Sequence, residues 1–227
     1  MMLSIIMPVL NEAAGIEATL QALAPLRRRG VEIIVVDGGS RDGTPGLARP
    51  FADRVMQAPR GRATQMNAGA ACAQGDVLLF LHADTRLPDQ ADRLAIESMT
   101  QSDRVWGRFD VRFDGKRLPL IALMMNGRSR ATGIATGDQA MFVTRKAFTR
   151  AGGFPPIALM EDVALSARLK RLSRPLCLRA KVTVSPRRWQ RRGVLRTVLL
   201  MWKLRLGYFF GADPVRLAKA YGYAPER

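Results

Sequence analysis

Acidic residues are missing where basic ones are dense. Between Asp162 and Asp213 the chain carries no Asp or Glu, while Arg and Lys recur throughout that stretch. Over the whole sequence 36 Lys and Arg face 19 Asp and Glu, a formal net charge of +17. A one-sided basic half calls for a polyanionic partner: a nucleoside diphosphate, a membrane surface or a nucleic acid. Part of the excess also reads as a solvated, Arg-rich surface. Cysteine is nearly absent. Cys72 and Cys177 lie far apart in apolar contexts, which argues against a disulfide scaffold and for a reducing, cytoplasmic setting. No apolar run approaches the ~20 residues that cross a bilayer. No basic leader precedes the apolar stretch 4–9, so a signal peptide is not expected. Histidine occurs once, at His82.

What is present is enough for a core. The chain has 227 residues, 48% of them hydrophobic, which suits one sizeable α/β domain or two small ones. Residues 3–7 read as a strand closed by Pro8, with Asn11 capping a helix that stops at Gly30. Residues 31–36 are β-branched almost throughout and read as a strand buried on both faces. A helix toward Pro50, a short strand over 54–57, a helix over 62–73 and an apolar strand over 77–81 follow. Strands alternating with helices predict a doubly wound sheet. After a helix over 88–100 the pattern changes. Residues 106–113 alternate like a half-exposed strand, 118–125 form a short apolar segment, 161–172 a helix and 176–184 a strand. Residues 194–210 form a long helix, apolar over much of its circumference.

Polar clusters punctuate this pattern. His82-Ala83-Asp84-Thr85 follows the strand over 77–81, and ligands in open α/β sheets bind beyond the carboxyl ends of strands. A carboxylate there can hold a hard divalent cation and through it a diphosphate. The same residues also read as a cap, with Asp84 or Thr85 starting the helix after Pro88. Asp37-Gly38-Gly39-Ser40 ends another strand. Asp37 suits the imide N–H of a uracil or a ribose hydroxyl, and the glycines admit a flat ring, unless the segment is only a turn. Arg60 and Arg62 oppose the dipole at a helix start, a local cost that suggests an anion nearby. Asn67 and Ala70 share a face of that helix, and Gly69 allows close packing. Glu161-Asp162 reads either as a favourable helix N-terminus or as a general base facing a cleft. Arg187 and Arg188, with Trp189 to pack against, match phosphate geometry, the other reading being a basic loop.

In this order the motifs resemble glycosyltransferase family 2, over roughly residues 3–223. They are Pro8-Val9-Leu10-Asn11-Glu12, Asp37-Gly38-Gly39-Ser40, Asn67-Ala68-Gly69, His82-Ala83-Asp84-Thr85, Gly152-Gly153-Phe154, Glu161-Asp162 and Arg187-Arg188-Trp189. His82-Ala83-Asp84-Thr85 together with Gly137-Asp138-Gln139-Ala140-Met141-Phe142 is similar to a small bacterial branch, the arsenosugar-biosynthesis-type glycosyltransferases. The resemblance implies a single α/β domain of the GT-A type, related to the Rossmann fold, with a mostly parallel central sheet flanked by helices and additional C-terminal helices. Within it, 1–105 would bind the nucleotide sugar, 106–190 the acceptor, and 191–227 would form a helical segment. The implied reaction is inverting transfer of a sugar from a nucleotide-diphosphate sugar to an acceptor hydroxyl. Pro8, Glu12 and Asp37 would hold the nucleoside, with Gly39, Arg62 and Asn67 completing the nucleotide-sugar site. Asp84 would bind Mg²⁺ or Mn²⁺ bridging the diphosphate. Asp162 would take the acceptor proton with Glu161 beside it. Arg187, Arg188 and Trp189 would close over the diphosphate. His82 stands where the family usually has a carboxylate. It is expected to join Asp84 on the metal, or else Asp84 alone holds the metal with the phosphates and water, or Mn²⁺ is preferred, or the basic loop carries more of the phosphate charge.

Two rival classes remain open on the sequence. A basic nucleic-acid-binding domain would use the cationic half, but carboxylates at strand ends repel phosphate. A non-catalytic nucleotide-sugar-binding protein would keep the donor site alone. The helix over 194–210 reads as a peripheral contact with the inner membrane face, as a cover for the core, or as a homodimer contact.

Overall fold

The computed structural model describes residues 1–114, 118–186 and 193–223. Its centre is an eight-stranded sheet, and the first strands show why the fold closes. β1 (Leu3–Val9) and β2 (Glu32–Asp37) are buried along their whole length. Their successive side chains point to opposite faces, so each strand feeds two cores. Ile5, Met7, Ile33 and Val35 pack on one side with Ile16, Leu20 and Leu23 of α1 (Ile16–Arg28). Ile6, Ile34 and Val36 pack on the other with Ala63 and Met66 of α3 (Arg62–Cys72). Gly69 lets α3 approach: a Cβ there would lie 2.5 Å from Ile6 Cγ2. That bears out the close packing expected of Gly69.

Between these lie α2 (Thr44–Ala48) and β3 (Arg54–Gln57), and beyond them β4 (Val77–Phe80), β5 (Thr85–Arg86) and α4 (Ala91–Thr100). The second half holds β6 (Trp106–Phe113), α5 (Pro119–Thr132), β7 (Phe142–Thr144), α6 (Arg145–Arg150), α7 (Glu161–Leu169), β8 (Leu176–Val184), α8 (Val194–Phe209) and α9 (Pro214–Tyr221). The strand order is β3-β2-β1-β4-β7-β6-β8-β5. β1 runs parallel to β2 and β4, β2 to β3, and β6 to β8, whereas β7 runs antiparallel to β4 and β6, as β5 does to β8. This is the mostly parallel, helix-flanked sheet that the alternating pattern predicts.

Four local expectations are corrected. The strand over 106–113 is not half-exposed, since β6 is buried at every residue but Arg112. Asn11 does not cap α1. It sits at φ +54° and accepts a hydrogen bond from the Arg41 N–H, and α1 starts at Ile16 after Gly15 with no side-chain cap. The apolar segment 118–125 is the start of α5, a 14-residue helix whose exposed Leu120 and Leu123 hid its period. Asp84 and Thr85 do not cap the helix after Pro88: Thr85 enters β5, and α4 begins at Ala91.

Candidate active site

β1, β2 and β4 are parallel, so their carboxyl ends share one edge of the sheet. Gln65 of α3 ties that edge together, its side-chain amide donating to the Val9 carbonyl at 2.9 Å and the Val36 carbonyl at 2.8 Å. Past the edge lies a cavity of about 480 Å³, lined by Pro8, Glu12, Arg62, His82, Asp84 and Asp138 among others. Tyr221, Gly222 and Tyr223 cover it from the C-terminal end, with Arg60 stacked 5.6 Å from the Tyr223 ring centroid.

A second cavity of about 490 Å³ adjoins it and shares Arg62, His82, Asp138 and Tyr221. Glu161 and Asp162 line this one, at the first turn of α7. Asp162 Oδ2 accepts the Gly137 N–H at 2.7 Å and Oδ1 accepts the Val163 N–H at 2.7 Å. Gly137 opens a short 3₁₀ turn that carries Asp138. Asp138 in turn lies 3.4 Å from His82 Nδ1. A Cβ at residue 137 would come within 2.3 Å of the imidazole, so only glycine leaves room for the ring. Two non-glycine residues in the left-handed region flank these groups, Ala140 at φ +45° and Met160 at φ +71°. Backbone strain of this kind persists only where surrounding packing enforces it, and it clusters at functional sites.

The charges interlock. Burial lowers the His82 imidazole, but the hydrogen bond and charge of Asp138 prevail and raise it above its usual value. Burial raises the Glu161 carboxyl, opposed by the cation of Arg62, whose Nε lies 3.6 Å from Glu161 Oε1. Arg62 therefore spans both cavities, an anchored cation facing the first and partnered in the second.

Three of the sequence candidates sit apart. Asp37 is buried, and its carboxylate is taken by its own turn, accepting the N–H groups of Gly39 and Ser40 at 3.0 Å each and the Ser40 hydroxyl. Gly39, at φ +91°, shapes that turn. The Asn67 side chain brackets Phe154, donating to its carbonyl at 2.8 Å and accepting its N–H at 2.9 Å. None of the three lines either cavity. Arg187, Arg188 and Trp189 lie outside the described residues. The expectation that His82 joins Asp84 on a metal meets a different arrangement, with one ring nitrogen at Asp138 and the other packed against Gly137. Among the described residues no three His, Cys, Asp or Glu side chains form a metal cage. Asp84 is the exposed carboxylate of the first cavity, which Glu12 and Asp138 also line. That fits Mg²⁺ or Mn²⁺ only in a shared site, where one carboxylate is completed by substrate phosphates and water.

Sequence reasoning gave no role to Asp138, Arg128, Arg205 or Tyr221. Asp138 stood in a quoted motif without an assignment. Arg128 and Arg205 line the second cavity from α5 and α8.

The profile of Glycosyl transferase family 2 matches residues 4–153. A PGL/p-HBAD biosynthesis glycosyltransferase of Mycobacterium bovis is 38% identical over 118 residues, 47% of this chain and 46% of the relative. The chain thus spans about half the length of that curated relative. Among solved structures, S. aureus TarS 1–349 in complex with UDP-GlcNAc superposes with a TM-score of 0.68 at 18% identity, over 82% of this chain and 58% of that one. The mannosyltransferase PcManGT from Pyrobaculum calidifontis, in complex with GDP-Man and Mn²⁺, gives 0.65 at 21% identity over 97% of this chain and 69% of that one. At these identities the likeness concerns the fold.

Proposed function

The chain belongs to glycosyl transferase family 2, and we propose that it is an inverting glycosyltransferase that moves a sugar from a nucleotide-diphosphate sugar to an acceptor hydroxyl. The observation that carries this reading is the meeting of the two cavities at Arg62, His82 and Asp138. The first cavity takes the donor, with Pro8 and Glu12 toward the nucleoside and Arg62 and Asp84 toward the diphosphate. The second takes the acceptor. UDP-GlcNAc and GDP-Man are bound by the solved relatives TarS and PcManGT, and Mn²⁺ accompanies the latter.

The acceptor hydroxyl gives its proton to Asp162 as its oxygen bonds to the anomeric carbon. The bond from that carbon to the phosphate oxygen breaks on the opposite face, and the diphosphate leaves with the electron pair, inverting the centre. Two backbone N–H groups hold the Asp162 carboxylate in place, so little reorganisation accompanies the transfer. Arg62 opposes the charge that develops on the leaving diphosphate. A divalent cation held at Asp84 would add further neutralisation of that charge. The His82–Asp138 pair fixes the wall between donor and acceptor.

The exposed face of α8 supports peripheral contact with an anionic membrane. Leu195, Leu199, Trp202, Leu206 and Phe209 form a stripe, each more than half exposed. No helix among the described residues is long and apolar enough to cross a membrane.

A thermal-shift screen of UDP-, GDP-, dTDP- and CDP-sugars tests the donor reading. One donor class should raise the melting temperature with Mn²⁺ or Mg²⁺ and do so less with chelator. A protein that no nucleotide sugar stabilises under either condition is not this enzyme.

A further inference from the structure

Two arginines in the second cavity have no role in the donor chemistry. Arg128 projects from α5 and Arg205 from α8, and neither lines the donor cavity. The Nε and Nη2 atoms of Arg128 are shielded from solvent and have no hydrogen-bond partner among the described residues. Burial and repulsion from Arg205 pull the Arg128 guanidinium down to about 10. Burial also lowers Arg205, against the attraction of Asp162 and Asp138. A guanidinium is planar and presents paired N–H donors, a geometry that fits an oxyanion bidentately. Leaving those donors unmet in a buried place is costly, and two like charges facing one space add to the cost. Such an arrangement is destabilising in the free protein, and a ligand completes it when a turn of the Arg128 side chain brings the shielded donors to the cavity.

The walls around the two cations are apolar: Met124, Met125, Leu159, Met201 and Trp202. Methionine-rich walls adapt to flexible chains. Met124 and Trp202 are also half-exposed at the surface, next to exposed Leu123 of α5 and Leu206 of α8. The cavity therefore continues into an apolar surface between the two helices. A small polar acceptor such as a free sugar would leave these walls wet and the Arg128 donors unmet.

We propose, building on the acceptor reading of this cavity, that the acceptor is an amphiphile carrying one oxyanion group, held between Arg128 and Arg205 with its apolar part along Met124, Met125 and Met201. The hydroxyl that receives the sugar then lies on the Asp162 side of the oxyanion. The donor's diphosphate is not the occupant, since Arg62 and Asp84 serve it in the other cavity.

Isothermal titration of the full chain with octyl phosphate, octyl glucoside and inorganic phosphate tests this, with UDP titrated on the same samples. Octyl phosphate is expected to bind at least about tenfold more tightly than either control, since a charge-assisted hydrogen bond exceeds the ~1.4 kcal/mol that a factor of ten represents. Arg128→Met and Arg205→Met should each lose that preference, Arg128→Lys should keep part of it, and UDP binding should be unchanged. Arg128→Met should also melt higher than the parent, because it removes a buried, unpaired charge; a merely structural arginine would lower the melting point. Dodecyl phosphate carried in phosphatidylcholine vesicles, compared with octyl phosphate in solution, separates a lipid-borne acceptor from a dissolved one. Binding to either that disappears in the Arg128→Met, Arg205→Met double variant supports the site. Binding to neither, or binding that survives in the double variant, overturns it. UDP bound without any response to octyl phosphate rejects the acceptor class alone, whereas no response to UDP rejects the donor reading beneath it.

Discussion

Asp162 Oδ2 accepts the Gly137 N–H at 2.7 Å, so the carboxylate proposed to take the acceptor proton also clamps the turn that carries Asp138. The two duties separate on substitution. Asp162→Asn keeps one oxygen to accept from Gly137, gives up only the acceptor of the Val163 N–H, and removes the proposed base. Transfer should fall by about 10²–10⁴-fold, the usual share of general-base catalysis, while the melting point and donor binding stay near the parent. A rate within a few-fold of the parent would remove Asp162 from the chemistry.

The metal reading concentrates on Asp84, the exposed carboxylate of the first cavity. Asp84→Asn should abolish the difference between Mn²⁺ and chelator in nucleotide-dependent thermal stabilisation. His82→Asn should leave that difference in place, since the imidazole is engaged by Asp138 and Gly137. Loss of the metal response in the His82 variant alone would return His82 to the ligand set.

The single histidine gives one imidazole signal to follow by NMR in the metal-free protein. Its pKa should lie above 6.5, because Asp138 outweighs the burial that lowers it. In Asp138→Asn the burial remains and the carboxylate is gone, so the value should drop below 6.5. A folded-state value above the unfolded one contributes stability that is present below pH 6.5 and is lost as pH rises through the raised value. Melting curves taken across that range should lose this component in the Asp138 variant.

Much of this architecture was legible in the sequence because it follows from strand burial. The apolar runs at β1, β2 and β4 and the polar residues ending them fix the carboxyl edge, and with it the positions of Glu12, Asp84 and Arg62. Residues whose role depends on long-range pairing were not legible. Asn67 and Phe154 are 87 positions apart, yet the Asn67 side chain both donates to and accepts from the Phe154 backbone. Nor was it legible that the Gly39-Ser40 turn folds back on the Asp37 carboxylate. Arg128 stood in a helix whose exposed apolar residues masked its inner face, so nothing local marked a guanidinium aimed inward.

Asp110 joins fully buried Arg108 to exposed Arg130, which grips it by two hydrogen bonds of 2.8 Å. Burial raises the Asp110 carboxyl, but the two guanidinium groups prevail and hold it below its usual 3.8. Asp110→Asn should destabilise by about 3–5 kcal/mol, because Arg108 is left as a buried charge without its partner. The parent should keep this contribution above pH 3.8 and lose it as pH falls through the depressed value. Denaturant titrations at pH 7 and in acid measure both. A loss under about 1 kcal/mol at pH 7 would mean that Arg108 is paired elsewhere.

The two sides of α8 differ in what covers them. One side of the helix is committed to the protein, where Leu204 packs with Leu159, Met160 and Leu217. The opposite side leaves Leu195, Leu199 and Phe209 at 71%, 59% and 80% exposure. An apolar stripe of this kind in water is a standing cost, and interfacial lipid removes it while Arg196 and Lys203 meet anionic headgroups. The chain should therefore float with vesicles containing phosphatidylglycerol at low salt and less at high salt, where the Debye length shortens to about 3 Å at 1 M. Replacing Leu195, Leu199 and Phe209 together by Glu should abolish flotation without changing UDP binding, since none of the three lines either cavity. If the parent fails to float at any salt but sediments as a dimer that the same triple substitution dissociates, the stripe covers a second copy of the chain and the membrane role is excluded.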